Sequence, residues 1–212
     1  MDAYTPKILA FAGSARVDSL NKKLVKVAAA GAQRLGAKVT FIDLRDYPIP
    51  IYDGDLEVGT GVPDKALELR RLLLDHDGFL IACPEYNGSI TPLLKNVIDW
   101  TSRPINGEDG LAPFRNKLAV LMSASPGGYG GLRGFAQVKT ILGNMGVIVL
   151  PDQLAVGKAN EVFAPNGHMI NQKQRESVET LGSTLASTLA RLHGQPVYDV
   201  AVERRHDMSR VV

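Results

Sequence analysis

Ser14, Arg16, Ser19 and Asn21 fall within nine residues, GSARVDSLN, from Gly13 to Asn21. Two hydroxyls, an amide and a planar guanidinium at that density suit an anion, because the guanidinium makes charge-assisted hydrogen bonds to phosphate oxygens. Gly13 lets the backbone turn. A helix opening directly afterwards would add unbonded N–H groups and the positive end of its dipole. The Walker pattern GxxxxGK followed by Ser or Thr is absent, and so is GxGxxG, which favours a single terminal phosphate over a pyrophosphate. A plainer reading of the same residues makes Ser19 a helix cap and Arg16 a surface charge.

Two further loops carry unusual chemistry. PEYNGS, Pro84 to Ser89, combines a stiff exit, an aromatic face and a turn signal at Asn87 and Gly88. Tyr86 can lie along a planar ring or cover its edge, and Asn87 and Ser89 can bond hydroxyls or ring heteroatoms. Glu85 can hold the loop's own amides or a neighbouring subunit. SASPGGYGGLRG, Ser123 to Gly134, has five glycines and one proline. Such a backbone can come within contact distance of a flat ligand and offer its amides to a heterocycle's polar edge, or it can be a mobile loop with no ligand. Tyr129 and Arg133 can face the ligand or a partner subunit. Cys83, which ends an apolar run, reads as a core thiol.

These loops need a scaffold, and the apolar pattern supplies one. KILAFA (7–12), KVTFIDL (38–44), GFLIAC (78–83), KLAVLMSA (117–124) and GVIVL (146–150) read as five strands buried on both faces, as in a parallel sheet covered by helices. Helical stripes lie between and after them. The first is Leu20, Leu24, Val27, Ala28 and Leu35; the second is Leu67, Leu72 and Leu73, with Leu69 at its edge. The third follows Thr91 as cap and Pro92 at the first helical position, with Leu93, Leu94, Val97, Ile98 and Trp100. Phe135, Val138, Ile141, Leu142 and Met145 make the fourth, and Val178, Leu181, Leu185, Leu189 and Leu192 the fifth. Alternation of this kind predicts an α/β, doubly wound, five-stranded parallel sheet in a three-layer sandwich. Ligands bind such sheets at the carboxyl ends of the strands, where the loops after the first, third and fourth strands lie. The connection from Asp152 to Gln172 is long and polar, suited to covering the site or to a subunit interface. The domain is expected over residues 1–195, with 196–212 as a C-terminal tail.

Composition excludes several function classes. The chain has 212 residues, a formal net charge of +2 and one cysteine. That charge, without a Lys/Arg block, speaks against nucleic acid. A single cysteine rules out a disulfide within one chain and a multi-cysteine metal site, and suits a reducing, cytoplasmic setting. No apolar segment is long enough to span a bilayer, and the first residues do not form a signal peptide. No metal ligand set is legible.

GSxRxxSxN after the first strand, PEYNxS after the third and SPGGxGG after the fourth resemble the NADPH-dependent FMN reductase family, the flavodoxin-like group that includes FMN, quinone, azo-dye and chromate reductases. The resemblance runs from about Lys7 to Leu192. It implies FMN as cofactor, NADPH or NADH as co-substrate, a small-molecule electron acceptor, and assembly as a homodimer or homotetramer. It implies that Ser14, Arg16, Ser19 and Asn21, with Leu20 between them, hold the phosphate. It places Pro84, Glu85, Tyr86, Asn87, Gly88 and Ser89 along the ribityl chain and isoalloxazine, and Ser125, Gly127 and Gly128 at the ring's polar edge. With the chemistry carried by the flavin, no catalytic side chain is expected. A flavodoxin-type electron carrier and a non-enzymatic FMN-binding protein are the competing functions.

Overall fold

The computed structural model describes residues 4–194, so the expected tail, 196–212, lies outside the described residues. Five parallel strands form one sheet: β1 (Lys7–Ala12), β2 (Lys38–Phe41), β3 (Gly78–Ala82), β6 (Leu118–Ala124) and β7 (Ile148–Val156). Their order is β2-β1-β3-β6-β7. The chain reverses its direction across the sheet between β1 and β3, so their following loops lead to helices on opposite faces and leave a crevice between them.

Strict alternation along the three central strands builds two cores. Ile8, Ala10 and Ala12 of β1, Leu80 and Ala82 of β3, and Val120 and Met122 of β6 pack under α1 (Leu20–Arg34) and α6 (Gln172–Gly194). Leu9, Phe11, Phe79, Ile81 and Leu121 point the other way, under α3 (Asp64–Asp75), α4 (Pro92–Thr101) and α5 (Gly134–Asn144). On the first face, α1 and α6 meet backbone to backbone. A Cβ at Gly31 would fall 1.9 Å from the Glu179 carbonyl oxygen, and one at Gly182 would fall 1.8 Å from that of Ala28. Ser183 Oγ donates across this crossing to the Gly31 carbonyl at 3.1 Å.

Several expectations needed correction. β2 stops at Phe41, because Asp43 turns the chain by accepting the Arg45 N–H at 3.0 Å and capping a 3₁₀ turn, Leu44–Asp46. β7 begins at Ile148 and runs on to Val156, well into the expected polar connection. Its pairing with β6 shifts register between Ala119 and Leu121, whose partners are Val149 and Gln153. Pro151 sits in that bulge on an edge strand, where its missing N–H breaks no ladder. The second stripe buries Ala66, Leu69, Arg70 and Leu73, with Leu72 partly buried against the same core, rather than centring on Leu67. Arg70 is buried there and donates to the carbonyls of Thr101, Gly110 and Asp109. Leu35 and Leu192 are exposed, and both lie at the C-terminal ends of their helices.

Two elements were not anticipated. α2 (Gly54–Thr60) buries no residue; Glu57 holds it in place through Tyr52 Oη at 2.8 Å and Arg103 Nε at 3.0 Å. The third loop is a small antiparallel hairpin, β4 (Glu85–Tyr86) and β5 (Ser89–Ile90). Its two turn residues, Asn87 and Gly88, have φ of 52° and 82°, the left-handed pair that a tight hairpin turn requires. Among the described residues no helix is long and apolar enough to cross a membrane.

Candidate functional site

At the carboxyl ends of β1, β3 and β6 lies a cavity of about 190 Å³. Ser14, Arg16, Ser19, Leu20 and Asn21 line it from the first loop, Pro84, Glu85 and Tyr86 from the third, and Ala124, Ser125 and Pro126 from the fourth. Residues up to 112 positions apart in sequence, Ser14 to Pro126, thus meet at the crevice that the strand order creates. A larger groove, about 760 Å³, runs between α1, α6 and the 165–169 segment. Three of its cations are paired within the protein, Lys22 with Asp43 at 2.6 Å, Lys23 with Asp18 at 2.5 Å and Arg34 with Glu179 at 2.5 Å, while Lys26 lies over the Phe41 ring. The smaller cavity is the better site, because it lies at the carboxyl ends of the central strands, where the strand order reverses.

The first loop keeps its donors free. Arg16 is exposed, and its guanidinium joins no ion pair or hydrogen bond with another described residue. Ser14 and Ser19 are buried; Ser14 Oγ accepts the Arg16 N–H at 3.3 Å and Ser19 Oγ accepts the Lys22 N–H at 3.4 Å, so each hydroxyl hydrogen remains to be donated. Ser19 is thus the cap of α1 as well as a cavity residue. No described residue accepts from the backbone N–H of Leu20 or Asn21, the first two of the helix. A cation, two hydroxyls and two amides converge on one spot, which fits a phosphate.

Asn21 lines the cavity and is also bonded within the protein. Its Nδ2 donates to the Ala124 carbonyl at 2.8 Å and its Oδ1 accepts the Ala124 N–H at 2.9 Å. The side chain stitches the first loop to the fourth, and the donors left unspent on the first loop are those of Ser14, Arg16, Ser19 and the backbone.

The fourth loop is fixed in place, and its glycines divide the labour. Ser125 N–H donates to the Val156 carbonyl at 3.1 Å, and the Gly127 and Ser125 carbonyls accept from Lys158 and Ala159. A Cβ at Gly130 would meet the Val156–Gly157 backbone at 2.6 Å, and one at Gly131 would meet Ser123 Oγ at 2.0 Å. Those glycines serve close approach within the protein. Gly128 has open space above it and an amide without an acceptor, and Gly127 meets only Ser125 Oγ. Their backbone is the part available to a flat ligand, although neither residue lines the cavity wall itself.

The hairpin also splits. Glu85 and Tyr86 reach the cavity, with Tyr86 53% exposed at its edge. Asn87 and Gly88 form the turn, and Ser89 lies on a different surface, a groove shared with Lys95, Ala136, Gln137 and Ile141 between α4 and α5. Glu85 holds the fourth loop: its carboxylate accepts from the Arg133 N–H at 3.1 Å and pairs with the Arg133 guanidinium at 2.5 Å. Cys83, just before the hairpin, is fully buried, and burial pushes its thiol pKa up. It is a core residue. The sequence offered Arg133 to the ligand or to a partner subunit, and within the chain it pairs with Glu85, 48 residues away.

Known proteins carry the same design. The model of the NADPH-dependent FMN reductase family matches residues 6–161. An NAD(P)H-dependent FMN reductase of Pseudomonas aeruginosa is 30% identical over 189 residues, 89% of this chain and 97% of that one. An NADPH:quinone oxidoreductase of Arabidopsis thaliana is 29% identical over 195 residues, 89% of this chain and 94% of that one. Among solved structures, a flavoenzyme NAD(P)H:(acceptor) oxidoreductase of Paracoccus denitrificans superposes with a TM-score of 0.72 at 26% identity, covering 90% of this chain and all of that one. The matched span contains all three loops of the cavity, and this chain belongs to the NADPH-dependent FMN reductase family.

Proposed function

We propose that this protein is an FMN-dependent NAD(P)H oxidoreductase that delivers electrons to a small acceptor of the quinone type. The observation that carries the proposal is the first loop, where an unpaired Arg16, two buried hydroxyls and two free helix amides line one end of the cavity. FMN supplies the chemistry when bound, taking a hydride from the nicotinamide and passing electrons on. The chain's own residues bind and orient. Ser14, Arg16 and Ser19 hold the phosphate, Pro84 and Tyr86 form the wall along the ring, and the Gly127–Gly128 backbone presents its free amide to the ring's polar edge. Preorganised amides aimed where negative charge develops stabilise that charge without reorganising. No side chain in the cavity is needed as acid, base or nucleophile.

The reading extends to a homo-oligomer in the cytoplasm, at least a dimer. Its support is apolar surface around the hairpin and α5: Tyr86, Tyr129 and Leu132 are exposed, and a groove of about 460 Å³ runs between α4 and α5.

Anaerobic mixing of the FMN-loaded protein with NADPH and with NADH tests the function. Bleaching of the flavin by either nucleotide, followed by reoxidation with a benzoquinone, is the expected result. Bleaching by dithionite but by neither nucleotide would mark an electron carrier. Equal affinity for riboflavin and FMN would remove the phosphate site.

A further inference from the structure

Glu85 is the one acidic side chain among those lining the cavity. An ionised carboxylate there opposes a phosphate, and it opposes still more the negative charge that a flavin gains on reduction. The fold turns it aside. Its side chain is 8% exposed, and both oxygens are committed to Arg133, one to the guanidinium at 2.5 Å and the other to the N–H at 3.1 Å. Arg133 immediately precedes α5 and supplies no side-chain cap of its own. Glu85 therefore reaches over from another loop to cap that helix, against the positive end of its dipole. Gly134 lies beside it: a Cβ there would be in ordinary contact, 3.8 Å from that of Glu85. Arg133 remains 65% exposed, with its guanidinium 6.0 Å from the centre of the Tyr129 ring.

We infer that Arg133 is a positioning residue for the redox reaction, one that neutralises Glu85 and holds it against α5 so that the cavity favours the reduced, negatively charged flavin. The inference rests on the flavin-binding reading above. It differs from a purely mechanical tie between loops in one respect. A tie is broken further when both partners are replaced, whereas a charge balance is restored.

The experiment compares FMN-loaded wild type, Arg133→Gln, Glu85→Gln and the double variant. The midpoint potential is read against a reference dye, FMN affinity by fluorescence quenching, and folding by the melting temperature of the apo protein. Arg133→Gln is expected to weaken binding of reduced flavin relative to oxidised flavin about tenfold, which for a two-electron couple is a potential about 30 mV more negative. The double variant should return close to the wild-type potential, and Arg133→Lys, which keeps the charge, should stay there. A wild-type potential in Arg133→Gln, or a double variant as low as the single one, would overturn the inference. If Arg133→Gln fails to fold, Glu85→Gln decides the matter: a potential above wild type supports the charge balance, and one at or below it refutes it. Wild-type protein that binds no FMN would sink the flavin reading and this inference together; binding with unchanged potentials in the variants sinks this inference alone.

Discussion

Arg16 and Lys22 are cations six residues apart in sequence, and they do opposite work. Arg16 has no partner within the described protein and is free for a ligand. Arg16→Ala should weaken FMN binding by about 1.5–3 kcal/mol, the range for a hydrogen bond to a charged group, and the loss should shrink as salt rises. Riboflavin, which lacks the phosphate, should bind both proteins alike in the same quenching titration. Lys22 is buried and donates to Asp43 at 2.6 Å. Partial burial pushes the Asp43 carboxyl up, but the Lys22 hydrogen bond, the Arg45 N–H and the charge of Lys22 outweigh it and hold the pKa below its usual range. A carboxyl depressed in the folded state contributes stability above its unfolded pKa of about 3.9, and that contribution is lost as pH falls through the folded value. Lys22→Met should therefore be less stable than wild type in urea at pH 7, with the gap narrowing below about pH 4. A gap that persists unchanged into acid would assign the loss to packing.

At the scale of elements, the glycine crossing of α1 and α6 makes the sharpest prediction. Glu179 O stands 1.9 Å from where a Gly31 Cβ would be, so Gly31→Ala must push two long helices apart. Overpacking of this kind costs about 1–3 kcal/mol, measurable as a lower urea midpoint, although alanine is the better helix former in isolation. The elements that bury a continuous apolar face were legible in the sequence: β1, β3 and β6, and most of α1, α4, α5 and α6. α2 was not, because a helix that buries nothing leaves no period to detect. β7 looked finished at Leu150, since Pro151 and Asp152 are ordinary strand breakers, and only its place at the sheet edge lets a bulge absorb them. The three loops of the site were recognisable from their composition, but their internal wiring was not. Asn21 reaches Ala124 and Glu85 reaches Arg133 by pairings that no local pattern encodes. Gly130 and Gly131 resembled ligand-facing glycines for the same reason, since sequence does not say whether the close neighbour is a cofactor or Val156.

For the whole molecule, the apolar surface around the hairpin predicts association. Light scattering at micromolar concentration should give at least twice the mass of one chain, 22.8 kDa, and charged replacements at both Leu132 and Tyr129 should lower it. An active monomer would count against the proposal. Flavin should also raise the melting temperature, since a ligand at a hundred times its Kd adds about 2.7 kcal/mol. The molecule carries its own means of following such changes. Cys83, sealed beneath the hairpin at the end of a central strand, is the only thiol in the chain. An alkylating reagent reaches it only when the sheet and α4 part, and a raised pKa keeps it protonated until they do. The rate of labelling is thus a clock for opening of the native core, readable by mass without any engineered probe. Its slowing by FMN would time how far the cofactor, held by loops alone, restrains the strands beneath them.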